Sequence, residues 1–307
     1  MSHLAHGPVR GVVESVQDVS QTFRRIVFSG PQLQQLSVDG PFYDQRIKLI
    51  FPNTAGVLPD IEDSPDWYQH WLAMPEAERG VMRTYSIREL TRDDGITRMT
   101  VDFVLHFAPD GSTGPAAAWA ADAEVGQELW LVAPRQGQEA SGIEFAPGGA
   151  DEVVLLGDEA AAPAIARILE DLRLVGTTAR ISAYIEVPNA EDQLDIQGPD
   201  GAEVHWLIRG DADMGEQLSG RLGWHVQEED SAPIASDEEL LWETPVFSAS
   251  GEEIVASDEP QAGIYYWIAG ESGVIKRLRR FLVRDIGVDR SQVAFMGYWR
   301  LGVAMRG

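Results

Sequence analysis

The amino-acid sequence predicts a β plus α/β protein: an antiparallel six-stranded β-barrel followed by an α/β domain built on a parallel sheet. Three observations carry this prediction. Strand-like runs follow one another from about residue 10 to residue 135, separated by Gly, Pro and Asp turns. Beyond about residue 150, buried-strand runs alternate with helical periodicity instead. The 307 residues are 44% hydrophobic and 24% charged, which is enough apolar content to pack two domains of ordinary size. The division is expected at residues 1–146 and 147–307, with a cleft between the two, where small-molecule sites preferentially form.

In the first half GVVESVQDVS, FRRIVFSG, QRIKLIF, RTYSIREL, RMTVDFVLHF and QELWLVAP supply the six strands. DWYQHWLAMPEAERG (66–80) has helical spacing, with Trp67, Tyr68 and Trp71 as apolar anchors, and reads as an excursion between strands. In APDGSTGPAAAWAADA a small-residue turn leads to Pro115 at a first helical position.

The second half opens with DEVVLLGD, then PAIARILEDLRL with Ile165, Ile168, Leu169 and Leu172 on one face, then ARISAYIEV. That is a βαβ unit, the building block of a parallel sheet. VHWLIR, IYYWIAG, the helix SGVIKRLRRFLVRDIG and VAFMGYW complete the alternation. Residues 226–262 are acidic and rich in Ser and Pro, and read as an inserted surface loop, partly helical around EELLWE. No internal repeat is present.

Composition excludes several classes of chemistry. Without cysteine there are no disulfides, thiolate zinc sites or cysteine-held iron–sulfur clusters, so electron transfer would need an organic cofactor. The histidines, His3, His6, His70, His106, His205 and His225, are scattered, which opposes a metal site. A net charge of −25 opposes nucleic acid and anionic membrane surfaces. No apolar run approaches the roughly 18–20 residues that span a bilayer, and MSHLAHGPVR lacks signal-peptide character, so the chain is expected to be cytoplasmic, with no integral membrane contact. Only Lys48 and Lys276 are lysine among the 24 basic residues.

RTYSIR (83–88) concentrates two arginines, a phenol and two hydroxyls in one strand. Alternation puts Arg83 and Tyr85 on one face and Thr84 and Ser86 on the other. An arginine fork suits a pyrophosphate, a tyrosine packs on a ring and a serine can bond a heteroaromatic edge. Taken alone the stretch reads as an ordinary polar strand; its neighbours in the chain change that reading. The next strand aligns Asp102, Val104 and His106, although a lone histidine is as well explained by structure. The helix opening at Pro115 presents amides and a positive dipole end. LLGDEAAAPAI holds one glycine rather than a dinucleotide fingerprint; it puts Gly157, Asp158 and Glu159 at a strand's carboxyl end, where the acids bind a ligand or cap the helix. Lys276, Arg280 and Arg284 follow helical spacing as one basic stripe, with Lys276 near the helix start.

In order, RTYSIR, VDFVLH, GPAAAWA, LLGDEAAAPAI and YYWIAGESGVIKRLRRFLVRDIGVDRSQVAFMGYWR resemble the consecutive motifs of the siderophore-interacting protein family, FAD-containing ferric-siderophore reductases related in fold to ferredoxin–NADP reductases. The likeness runs from about residue 10 to 302, apart from the acidic insert. It implies that the barrel binds FAD and the α/β domain is NAD(P)H-binding-like. Arg83, Tyr85 and Ser86 would hold the pyrophosphate, ribityl and ring portions, with backbone groups from Thr84. Asp102, Phe103, Val104 and His106 would line the flavin, and Gly114, Pro115, Ala116 and Trp119 would form the phosphate turn and helix. Gly157, Asp158 and Glu159 would face the nicotinamide donor, and Tyr298 and Trp299 would close over the ring system. Lys48, Arg135, Lys276 and Arg280 would meet the ferric siderophore.

The implied reaction is FAD-dependent reduction of ferric siderophore to release Fe(II) for iron assimilation. NADPH, NADH and ferredoxin all stand as electron donors, and ferredoxin would then be a protein partner. Two other readings are a general NAD(P)H flavin reductase with another acceptor and a noncatalytic protein that binds ferric siderophore and flavin.

Overall fold

The structure, a computed structural model, describes residues 6–108, 110–138, 141–223, 242–244, 247–248 and 263–302. The chain divides into two compact units, one running to Ile143 and one starting at Glu144.

The first unit is built from β1 (His6–Asp18), β2 (Phe23–Ser29), β3 (Arg46–Phe51), β4 (Val81–Ser86), β5 (Glu89–Asp93), β6 (Ile96–Val104) and β7 (Glu128–Pro134). They form one antiparallel sheet in the order β4-β3-β7-β1-β2-β6-β5. There are seven strands where six were expected, because RTYSIREL is two strands. β4 lies at one end of the sheet and β5 at the other, and Ile87–Arg88 join them. The Ile87 amide donates to the Gln45 carbonyl and the Arg88 amide to the Thr100 carbonyl, so this dipeptide links both ends of the sheet. Ile87 is fully buried there. β5 and β6 are joined by Asp94 and Gly95, both at positive φ, the two-residue hairpin turn that Asp-Gly favours.

Apolar residues at period two line the interior, among them Val9, Ile26, Leu49, Val101 and Leu131. Phe28, Phe51 and Phe103 are fully buried among them, each stabilising the unit by roughly 1.5–3 kcal/mol. Helix α2 (Pro115–Ala121) packs Ala116 and Ala120 against this core, and Trp119 stacks on Phe28 and meets Phe51 and Phe103 edge-on or tilted. Helix α1 (Trp67–Ala73) serves a second cluster, Ile50, Ile61, Met82, Trp130 and Val132. Trp67 and Trp71 are its buried anchors, whereas Tyr68 lies exposed and stacks on Trp71.

The second unit holds β8 (Glu152–Gly157), β9 (Arg180–Val187), β10 (Glu203–Ile208), β11 (Trp242–Thr244), β12 (Phe247–Ser248), β13 (Ile264–Glu271) and β14 (Val293–Trp299) in the order β10-β9-β8-β13-β14-β11-β12. The first five are parallel and β11 and β12 pair antiparallel, so the sheet is mixed. Within the insert, most of 226–262 lies outside the described residues, but Trp242–Thr244 is a strand, not part of a helix. Trp242 stacks on Tyr298, and Glu243 takes the Arg279 guanidinium at 2.5 Å.

Helix α3 (Ala162–Val175) is buried at Ile165, Ile168, Leu169 and Leu172 and ends on Gly176 in the left-handed conformation, a common helix stop. On the other face α4 (Glu216–Arg221) and α5 (Ser272–Arg280) cover Val154, Leu156 and Ile268. No helix among the described residues is long and apolar enough to cross a membrane.

Candidate functional site

Among the described residues β4 has a strand partner, β3, on one side only. Its register puts Arg83 opposite Leu49 and Tyr85 opposite Ile47, whereas Thr84 faces Lys48 and Ser86 faces Arg46. Facing residues of an antiparallel pair share a side of the sheet. Arg83 and Tyr85 thus belong to the core side, and Thr84, Ser86, Lys48 and Arg46 to the other. The Tyr85 ring packs on Phe103, with centroids 4.7 Å apart, and edge-on against Phe51, while part of it stays exposed. Those apolar surroundings, opposed by Arg83, push its phenol well above the ordinary tyrosine value. Arg83 donates to the Met82 carbonyl at 2.7 Å and is half-buried, which lowers its pKa.

Across the pair, the Lys48 ammonium donates to the Thr84 hydroxyl at 2.6 Å. Lys48 is exposed by area, yet its ammonium is held close over the sheet; desolvation, then Arg46, lowers its pKa. Near the start of α2 the Thr113 hydroxyl donates to the His106 carbonyl. Gly114 precedes Pro115 with no side-chain cap, and open space surrounds the place a Cβ would take at Gly114.

Several sequence-derived assignments change. Arg135 does not reach out as a cation. It is buried, forked onto Asp63 at 2.8 and 2.9 Å and bonded to the Pro8 carbonyl, so its charge serves the fold. Asp102 is buried on the non-core face under Arg25, which grips it at 2.7 and 2.8 Å, and 3.6 Å from Arg88. Phe103 is fully buried, beneath Tyr85 rather than lining a surface. β6 ends at Val104, so strict alternation does not reach His106, which lies in the following loop. Val104 and His106 are both half-exposed.

In the second unit, Gly157 ends β8 where a Cβ would lie 2.5 Å from the Ala161 Cβ and 3.0 Å from the Ala269 carbonyl; only glycine lets the α3 turn and β13 come this close. The Asp158 carboxylate is buried and accepts from the Ala160 amide (2.9 Å), the Glu271 amide (2.6 Å) and the Trp299 indole (2.9 Å). It ties the ends of β8, β13 and β14 together. Glu159 is buried against Arg209. Neither acid is a free group facing outward; Asp158 does border a narrow crevice with Gly215, Gly270, Glu271 and Val274. Tyr298 stacks on Trp242 and meets Trp267 edge-on.

Lys276 is half-buried and Arg280 exposed on α5. The helix starts at Ser272, with the Glu271 side chain capping the Val274 amide, so Lys276 lies beyond the first turn, where the dipole penalty fades. After Arg280 the helix passes into a wider π-helical turn, Phe281–Ile286, which takes Arg284 off the expected i+8 line.

Sequence reasoning missed the partners of these groups: Thr84 for Lys48, Asp63 for Arg135, Arg25 for Asp102, and the Glu159–Arg209–Glu186 cluster. None of these partners is marked locally: even Arg25 and Asp102, on paired strands β2 and β6, lie 77 residues apart.

Residues 12–138 match the siderophore-interacting FAD-binding domain family, and residues 150–302 match the siderophore-interacting protein family. An uncharacterized protein of Mycobacterium tuberculosis is 31% identical over 285 residues, covering 91% of this chain and 85% of that protein. Ferric vibriobactin reductase of Vibrio cholerae is 25% identical (92% and 86% covered), and the NADPH-dependent ferric-chelate reductase of Escherichia coli is 26% identical (92% and 89% covered). The crystal structure of a siderophore utilization protein from T. fusca superposes with a TM-score of 0.68 at 25% identity, covering 98% of this chain and 96% of that one.

Proposed function

The chain belongs to the siderophore-interacting protein family, and from that premise we propose that it is an FAD-dependent oxidoreductase that reduces ferric siderophore to release Fe(II). The observation that carries the reading is β4, a sheet-edge strand on which Arg83 and Tyr85 share one face above a fully buried aromatic floor. The residues present fit a flavin dinucleotide. One side of the β4 backbone has no strand partner among the described residues, Tyr85 offers a partly exposed ring, and open space surrounds Gly114 at an uncapped helix start.

In this reading the Arg83 fork binds the pyrophosphate, Tyr85 packs on the flavin ring and Ser86 hydrogen-bonds its edge, with Thr84 contributing backbone groups. Gly114 and Ala116 bring backbone N–H groups to a phosphate, Pro115, which has none, sets the helix start, and Trp119 braces the floor. Val104 and His106 line the flavin; Phe103 supports Tyr85 from below, and Asp102, on the opposite face of β6, holds Arg25. Bound FAD would supply the exchange between two-electron reduction by a nicotinamide and one-electron delivery to ferric iron. Gly157 and the crevice beside Asp158 receive the donor, and Trp299 braces the Asp158 carboxylate. NADPH is the donor in the name of the E. coli relative, and ferric vibriobactin is the substrate in that of the V. cholerae relative.

Lys48, and on the second unit Lys276 and Arg280, attract anionic ferric complexes. A body of charge −25 does not forbid this, because at physiological ionic strength exposed charges are screened within about 8 Å. Fe(II) is a poorer match for the hard siderophore ligands, so reduction lets a chelator take it.

An anaerobic spectroscopic titration tests the whole reading. The purified protein should show a bound-flavin spectrum that NADH or NADPH bleaches and that a ferric siderophore restores, with Fe(II) trapped by a chelator. A colourless protein that takes up no FAD would refute it. A flavin reoxidised by other acceptors but not by ferric siderophores would convert it to a general flavin reductase.

A further inference from the structure

The carboxyl edge of the second sheet sets two buried carboxylates against one arginine. Glu159 follows β8, Glu186 lies one residue from the end of β9, and Arg209 follows β10, so three adjacent parallel strands deliver the group together. Arg209 Nη2 donates to Glu159 Oε1 at 2.9 Å, and Nη1 to Glu159 Oε2 at 3.1 Å and Glu186 Oε1 at 3.2 Å. Both terminal nitrogens are thereby engaged by the protein's own acids. Glu186 Oε1 also accepts the Gly215 amide at 2.9 Å, while Oε2 is buried without a hydrogen-bond partner. Two buried acids thus share one guanidinium. The turns that follow β9 and β10 add exposed acids, Glu191, Asp211 and Asp213.

Across the carboxyl ends of such a sheet, an acid near the end of the second βαβ strand suits the adenosine ribose hydroxyls, whereas a 2′-phosphate needs an available arginine. Here the acids are present and the arginine is engaged. We propose that the donor site of this chain selects the dinucleotide without a 2′-phosphate, NADH over NADPH, through the negative edge formed by exposed Glu191, Asp211 and Asp213 above buried Glu186. The proposal rests on the reading above that reduced nicotinamide is the electron donor. A phosphate dianion brought to this edge meets like charge, and Arg209 beside it is already paired with Glu159 and Glu186.

The test uses the full-length FAD-loaded protein and equilibrium titration calorimetry with NAD⁺ and NADP⁺, alongside flavin bleaching by NADH and NADPH. NAD⁺ should bind at least about tenfold more tightly at low salt, and the gap should narrow as ionic strength rises. Glu191→Arg and Asp211→Arg, both at exposed positions, should raise NADP⁺ affinity more than NAD⁺ affinity. Equal binding, or tighter NADP⁺ binding, overturns the selectivity and leaves the donor reading standing. If neither nucleotide binds and neither reduced form bleaches a flavin that dithionite bleaches, the donor reading itself fails, and this proposal with it.

Discussion

The Lys48 ammonium is anchored on the Thr84 hydroxyl, 2.6 Å away across the β3–β4 pair. One of only two lysines in the chain is thereby attached to the strand whose opposite face carries Arg83 and Tyr85. Lys48→Ala is expected to raise the KM for an anionic ferric siderophore roughly 10- to 100-fold, the range for losing a charged hydrogen bond, while bound flavin per chain is unchanged. Thr84→Val, which frees the ammonium without removing it, should give a smaller rise in KM. Steady-state kinetics at two ionic strengths check both; unaltered KM in Lys48→Ala would remove Lys48 from the substrate site.

Tyr85 makes a pH-dependent prediction. Packing against Phe103 and Phe51 raises its phenol pKa in the folded protein, so above the unfolded value near 10 the unfolded chain loses a proton that the folded chain keeps. Its contribution is complete below pH about 10 and is lost as pH climbs beyond it. Stability should therefore fall more steeply above pH 10 in the native protein than in Tyr85→Phe. Urea midpoints from pH 8 to 11 measure this, and parallel curves for the two proteins would contradict it.

The strands of the first unit were legible because period-two patterning and turns such as Asp94–Gly95 are local signals. The break within RTYSIREL was not, since no Gly or Pro marks it; the buried Ile87 and its bond to Gln45 belong to tertiary structure. Trp242–Thr244 is too short to show alternation, and its strand state depends on Tyr298 and Arg279 far along the chain. The site divides in the same way. The order of residues in RTYS dictates which side chains share a face. Whether an arginine is free or spent depends on acids distant in sequence, 72 residues away for Arg135 and Asp63 and 50 for Arg209 and Glu159.

Arg135 yields the opposite outcome from Lys48. Its guanidinium bonds Asp63 and the Pro8 carbonyl, and it fills the space beside Gly7, where a Cβ would lie 2.5 Å from its Nη2. Arg135→Ala should cost about 1–3 kcal/mol by leaving the Pro8 carbonyl unpaired and a void at Gly7. KM for ferric siderophore should stay within about twofold in the folded variant, since a charge already paired adds little to a distant anion. Chemical denaturation and kinetics on the same preparation separate the two effects; a KM rise at unchanged stability would restore Arg135 to the substrate site.

Asp158 is the post on which the carboxyl edge of the second sheet hangs. One carboxylate accepts from Ala160 at the approach to α3, from Glu271 at the end of β13 and from the Trp299 indole at the end of β14. Asp158→Ala leaves those donors without their acceptor, and each buried unsatisfied donor costs about 1–3 kcal/mol, so a loss of about 3 kcal/mol or more is expected. Asp158→Asn keeps the shape and one carbonyl oxygen, and should lose less. Trp299→Phe removes a single donor and leaves the other two bonds in place, so it should cost about 1 kcal/mol. The ranking Ala, Asn, then Trp299→Phe, read from urea unfolding, distinguishes a bracing carboxylate from one held ready for the donor. If Asp158→Ala instead retained full stability and lost only nicotinamide binding, the carboxylate would belong to the ligand rather than to the fold.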